Sequence, residues 1–243
     1  MARIFSAPTP VTKCYLRDFA VRLFLFSLIL ILYLTRRDDL NFVIHGSNFW
    51  PVNILWVAML TSMLAQLDPN SSLTTGCLKQ FSTKCEAVVD YDPEKLKQAV
   101  RNQNIGALKV AVLWLAVNLF LGWLYLKHIL DVPELVLLCA FYYLCDLICV
   151  LSFCPFQTFL MKNRCCVNCR IFAWGSWMMA IPFLFVRHFF AQTLILASVL
   201  VLVVWEVRFL RHPQRFWFGS NQRLQCAHCK DKLCRYKYPR SHS

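Results

Sequence analysis

Six apolar runs, each closed by a short polar or charged stretch, set the organisation of this chain. Phe19–Leu34 is apolar except for Arg22 and Ser27. Its length suits a signal-peptide core, but only Thr35-Arg36-Arg37-Asp38-Asp39 follows, with no small-x-small cleavage site. It is therefore expected as a retained first membrane helix, with Arg22 snorkelling to the near interface. Phe49–Leu67 is the second run, opened by aromatics and Pro51 and stopped by Asp68-Pro69-Asn70. Gly106–Leu126 and Pro133–Phe153 are the third and fourth, and their brief link makes them antiparallel neighbours. Ile171–Val186 and Thr193–Leu210 close the series. The first of these spans roughly 24 Å as a helix against a hydrocarbon core of about 30 Å, so it is expected thin or kinked at Pro182, or as a re-entrant arm.

The longest polar segment, Thr74–Asn104, contains one helix start: Asp92 as N-cap, Pro93 at the first helical position and Glu94 in the first turn. Leu96, Ala99 and Val100 share a face at helical spacing, which predicts a short helix packing on the bundle or running into the third span. No internal repeat, glycine-rich loop or low-complexity tract is present.

Composition confirms what the pattern implies. Hydrophobic residues make up 58% of the 243 positions and charged residues 16%, a balance that excludes an ordinary soluble domain. The net charge of +13 would suggest nucleic acid in a soluble chain. In a membrane protein it is the basic flank that fixes orientation and meets anionic headgroups, and the basic-aromatic stretch Arg208–Trp217 is expected as an interfacial anchor. With six spans, 22 of the 26 Lys and Arg fall on the side of the termini, leaving Arg36, Arg37, Lys127 and Arg187 opposite. The positive-inside rule makes the larger side cytoplasmic.

That orientation decides how the 13 cysteines are read. None falls in an outer loop, so disulfides are disfavoured and metal binding or thiol chemistry is favoured. Cys166/Cys169 and Cys226/Cys229 form two C-x-x-C pairs. Each pair can offer adjacent corners of a tetrahedron, and a transmembrane hairpin between them returns the chain to its starting face, so together they make a candidate zinc site. Cys154, Cys165, Cys234 and His228 are possible additional ligands, and Cys77 and Cys85 are further thiols on that face. An iron–sulfur cluster is the alternative, although the ferredoxin run of cysteines is absent. A reactive dithiol passing electrons to a quinone is another, weakened by its cytoplasmic placement.

Within the spans, Cys139, Cys145 and Cys149 are expected as packing residues. Asp146 is either functional or a structural partner of Arg22 or Arg170. Glu206 beside Arg208 suggests an interfacial charge pair, and Asn118 an interhelical hydrogen bond. No H-E-x-x-H, G-x-S-x-G or Walker lysine occurs, so a hydrolase or nucleotide-driven machine is not supported.

With Cys154-Pro155-Phe156-Gln157, Cys165-Cys166-x-x-Cys169-Arg170-Ile171, Arg211-His212-Pro213-Gln214-Arg215-Phe216 and Cys226-x-x-Cys229 in view, the C-terminal two-fifths resembles a group of uncharacterised bacterial multi-pass membrane proteins. The resemblance supports the pairing of the two C-x-x-C motifs and brings no activity with it. The expectation is thus an all-α polytopic membrane bundle of about six spans in a bacterial inner membrane, both termini cytoplasmic. Residues 1–153 would form a four-helix membrane region with a cytoplasmic loop at 68–105. Residues 154–243 would supply the cysteine-rich loop, a transmembrane hairpin and the C-x-x-C tail. The expected role is a scaffold or partner-binding module stapled by zinc, with the lipid bilayer and a protein at the cytoplasmic face as partners. A membrane redox protein and a small transporter built around Asp146 and Asn118 are the alternatives.

Overall fold

A computed structural model describes residues 9–45, 50–71, 77–163, 165 and 169–229. Among them the regular structure is helical, apart from a single antiparallel bridge between Ala87 and Asn221. The α-helices are α1 (Pro10–Thr35), α2 (Phe42–His45), α3 (Trp50–Ala65), α4 (Pro93–Leu126), α5 (Val132–Leu151), α6 (Gly175–Ala180) and α7 (Phe189–Arg211). Four of them, α1, α4, α5 and α7, are long and apolar enough to cross a membrane; α3 and the segment Arg170–Phe185 are apolar but shorter. All six expected apolar runs are therefore helical, and length supports spanning for four.

Local sequence explains most boundaries. The Thr9 hydroxyl accepts the Thr12 N–H at 3.2 Å ahead of Pro10, which starts α1 well before the apolar run. Asp92 accepts the N–H groups of Glu94 and Lys95 at 2.9 and 3.3 Å. Pro93 follows, and no breaker intervenes before Leu126, so the short helix foreseen at Asp92 and the third span are one helix of 34 residues. The expected loop 68–105 accordingly ends at Asp92. Glu134 accepts the Asp131 N–H at 2.8 Å at the head of α5.

The segment Arg170–Phe185 is not a continuous helix. A 3₁₀ turn over Arg170–Trp174 leads into α6, and a second over Ile181–Phe185 carries Pro182, whose missing N–H and ring end the α-helical ladder.

α1 packs mainly on α5, α3 on α7, and α6 between α5 and α7. Lipid tails are as apolar as leucine, so helix association in a bilayer relies on close packing and polar contacts between helices. The molecule has both. Met59, Met63, Val136, Cys139, Ala180, Ala191 and Val201 form its fully enclosed interior. Across it, Trp56 donates to Thr193 at 2.9 Å, Gln66 to Ser176 at 2.6 Å, and the Tyr143 hydroxyl to the Ala58 carbonyl at 3.3 Å.

The two ends are tied differently. At one, Arg37 binds Asp131 at 2.9 Å and Glu134 at 2.8 Å, while the Tyr33 hydroxyl donates to Glu134. At the other, the segment after α7 docks on the segment before α4. Val88 donates to the Ser220 carbonyl, Gln222 to the Glu86 carbonyl and the Asn221 side chain to the Lys79 carbonyl. Phe81 and Phe216 pack on Trp205, with the Arg208 guanidinium over Phe81.

Candidate functional site: a cavity walled by thiols

The interior polar residues locate the site. Arg22, in the apolar run of α1, does not snorkel. Its guanidinium donates to Asp146 Oδ2 at 2.9 Å and to the Tyr143 carbonyl at 2.8 Å, and lies 4.0 Å over the Tyr143 ring. Of the two roles open to Asp146, the structure thus shows the pair with Arg22. Arg170 pairs instead with Glu206, which also accepts the Trp174 indole N–H at 2.7 Å. Glu206 is therefore not the partner of Arg208 that the sequence suggested: two residues carry the side chain just over half a turn round α7, and Arg208 faces Phe81 and Trp205. Asn118 does not bridge helices; its side chain donates to the Trp114 carbonyl one turn back on α4, at 2.8 Å.

Asp146 stands at the wall of a mostly apolar cavity between α4, α5, the turn after α5 and α6, with about 660 Å³ of empty space, its open mouth included. Gly175 forms part of the same wall, and a Cβ there would sit 2.5 Å from Asp146 Oδ1, so a larger residue would displace the Asp146 carboxylate. The remaining wall is aromatic (Trp114, Tyr142, Phe156, Phe172) and sulfur-rich: Cys145, Cys149, Cys154 and Cys169 all line it, with Met178 and Met179. The Trp114 ring meets Tyr142 at 4.7 Å and the Phe156 edge at 5.6 Å. Its indole N–H is buried without an acceptor among the described residues.

Two of these cysteines touch. The thiols of Cys149, near the end of α5, and Cys154, just beyond it, are hydrogen-bonded to each other. The Cys154 sulfur also accepts the Gln157 N–H at 3.4 Å. The backbone is irregular here. A π-helical turn runs over Phe156–Leu160, closed by the Met161 N–H on the Phe156 carbonyl at 2.9 Å, and Lys162 has φ 49°, a left-handed conformation uncommon outside glycine and asparagine. Gln157 braces the turn, almost fully buried, with its side-chain amide on the Asn163 carbonyl at 2.8 Å. The Cys-Pro-Phe-Gln motif is thus the turn that carries Cys154 back onto Cys149.

The expected packing role holds for Cys139, which is enclosed on all sides. It does not hold for Cys145 and Cys149, which face the cavity. Spacing could have signalled this: Cys145, Asp146 and Cys149 share one side of α5 at i, i+1 and i+4, adjacent to Cys154.

Of the expected metal ligands, Cys169 is buried against Ala107, Val110, Ile171 and Trp174 and borders the cavity. Cys226 and His228 are exposed in a 3₁₀ turn, with Cys229 and Cys165 half-buried. Cys166 and Cys234 lie outside the described residues, as does the side chain of Cys77. Among the described residues no group of three or more His, Cys, Asp or Glu side chains stands close enough to hold a metal. The tail that carries Cys226 and Cys229 docks, through the Ala87–Asn221 bridge and the Arg223–Glu86 pair at 2.7 Å, on the segment that contains Cys85. Burial pushes the Cys85 thiol up, against the opposing pull of Arg215 and Arg223.

Fold and cavity together define the class: an all-helical protein with four helices fit to cross a membrane and a sulfur-walled cavity among them. In comparisons with known proteins no family model, curated protein or solved structure matches the chain.

Proposed function

We propose that this is an integral membrane thiol redox protein, with Cys149 and Cys154 as its reactive dithiol. One observation carries the reading: two thiols in mutual contact, held by an irregular turn at the wall of a cavity rather than sealed in the core. Oxidation joins the two sulfurs, and the two thiol protons and two electrons pass to an acceptor, a quinone or the disulfide of a partner. The reverse transfer, from cytoplasmic thiols, restores the pair. The large excess of Lys and Arg on the face of the termini supports a cytoplasmic placement of this end, which disfavours a role in making disulfides but supplies a thiol pool to re-reduce the pair. The test is equilibration of the purified protein in graded thiol–disulfide buffers, with alkylation of the remaining thiols. The expected result is one two-electron transition that disappears in both Cys149→Ser and Cys154→Ser; a transition unchanged in both would refute the assignment.

A second reading, zinc held by Cys166, Cys169, Cys226 and Cys229 as a scaffold staple, is favoured by one arrangement. Arg170, next to Cys169, lies 4.2 Å over Phe209, which packs on Phe216 at the root of the tail, so the two motifs leave the bundle from neighbouring points. About one zinc per chain by elemental analysis, lost in Cys229→Ser, would support it.

A further inference from the structure

The two touching sulfurs stand in different surroundings, and the difference gives each its own part in thiol–disulfide exchange. Cys154 belongs to the turn after α5: its sulfur accepts the Gln157 N–H at 3.4 Å and its carbonyl accepts the Thr158 N–H at 3.1 Å. Gln157 is held in turn by its buried side-chain amide, which donates to the Asn163 carbonyl at 2.8 Å. The fold therefore aims a backbone donor at the Cys154 sulfur. A hydrogen bond donated to the charged form of an acid favours that form. Cys149 lies three residues after Asp146 on the same side of α5. Asp146, paired with Arg22, lines the same wall, and its carboxylate opposes a further negative charge at Cys149. The other titratable groups described on that wall are Tyr142, Cys145 and Cys169.

Resting on the dithiol reading above, we infer that Cys154 is the attacking sulfur and Cys149 the resolving one, with Gln157 as the residue that positions Cys154. With a disulfide as acceptor, the Cys154 thiolate attacks one of its sulfurs, the S–S bond breaks, and the first leaving thiolate takes up a proton. Cys149 then gives up its own proton and attacks the Cys154 sulfur. The second leaving thiolate takes that proton, and the Cys149–Cys154 bond forms. Two electrons have passed from the pair to the acceptor, which ends as two thiols.

The experiment uses full-length reduced protein in detergent, freed of small thiols, and 2,2′-dithiodipyridine, a small apolar disulfide, as probe. The modified cysteines are identified by mass spectrometry after quenching in acid. Wild type should form the Cys149–Cys154 link. Cys149→Ser should hold a pyridyl adduct on Cys154, formed at pH 7 about tenfold faster than the adduct on Cys149 in Cys154→Ser. That gap should close as the pH is raised and both sulfurs become thiolates. Added to Cys149→Ser, Gln157→Met keeps the size and loses the amide, so it should slow adduct formation on Cys154 about threefold at pH 7 and less at high pH. A wild-type link with Cys149 reacting as fast as Cys154, or a gap that persists at high pH and so reflects access alone, would overturn this order and leave the dithiol standing. No wild-type link, with both sulfurs carrying adducts, would overturn the dithiol reading too. Equal slowing at every pH by Gln157→Met would overturn the role of Gln157.

Discussion

Arg22 holds the Asp146 carboxylate that stands at the wall of the cavity. A guanidinium within an apolar run is costly unless paired, and here it has a carboxylate, a carbonyl and an aromatic face. Its side chain is 10% exposed and that of Asp146 31%. Removing one member leaves a charge without its partner. Arg22→Ala should therefore destabilise the protein by about 3 kcal/mol in a reversible detergent unfolding titration, the lower end of the range for breaking a buried pair. The double change Arg22→Met with Asp146→Leu should recover much of that loss, since apolar side chains of similar size need no partner. Equal destabilisation by the single and double variants would show that the pair is not what holds α1 on α5. From sequence, Arg22 near the start of its run reads as an interfacial residue, and Asp146 as either functional or a partner of Arg22 or Arg170. What joins them is the packing of α1 along α5, which no local pattern encodes.

The elements divide into those whose ends are written in the chain and those shaped by neighbours. α4 is of the first kind, since Asp92, Pro93 and Glu94 specify its start. The N–H groups of Lys95 and Glu94 hold the Asp92 carboxyl below the usual carboxylate value. A folded pKa that is depressed stabilises above the unfolded pKa and is lost as pH falls through the folded one. The first turn of α4 should fray in acid, below about pH 4, seen as faster amide exchange at residues 95–97 after correction for intrinsic rates. Asp92→Ala should show the same fraying at neutral pH, and unchanged exchange there would remove Asp92 as the cap. The segment Arg170–Phe185 is of the second kind. Its composition reads as one span, yet it is divided into two 3₁₀ turns around α6, and Pro182 alone accounts only for the second. The close seating of Gly175 on Asp146 is part of what positions α6, and it became visible only with α5 in place. The π-turn at Phe156 is similar: Cys-Pro-Phe-Gln marked the motif, but its effect, bringing Cys154 onto Cys149, depends on where α5 ends.

At the scale of the whole molecule, the membrane character and the order of the helices were legible because both follow from composition and period. Spacing grouped the cysteines as C-x-x-C pairs; among the described residues Cys145, Cys149, Cys154 and Cys169 line one cavity, which spacing did not reveal, and the tail docks on the segment before α4. The shared feature is location, since every one of these segments gathers at the end of the bundle to which α5 and α7 descend. The most direct measurement of the account is disulfide mapping by mass spectrometry on the protein in native membranes after mild oxidation. The account predicts a single dominant link within the chain, Cys149 to Cys154, formed before any link to Cys169 or Cys226. A dominant link between Cys169 and the tail, or no link with Cys149 and Cys154 both still alkylable, would contradict it.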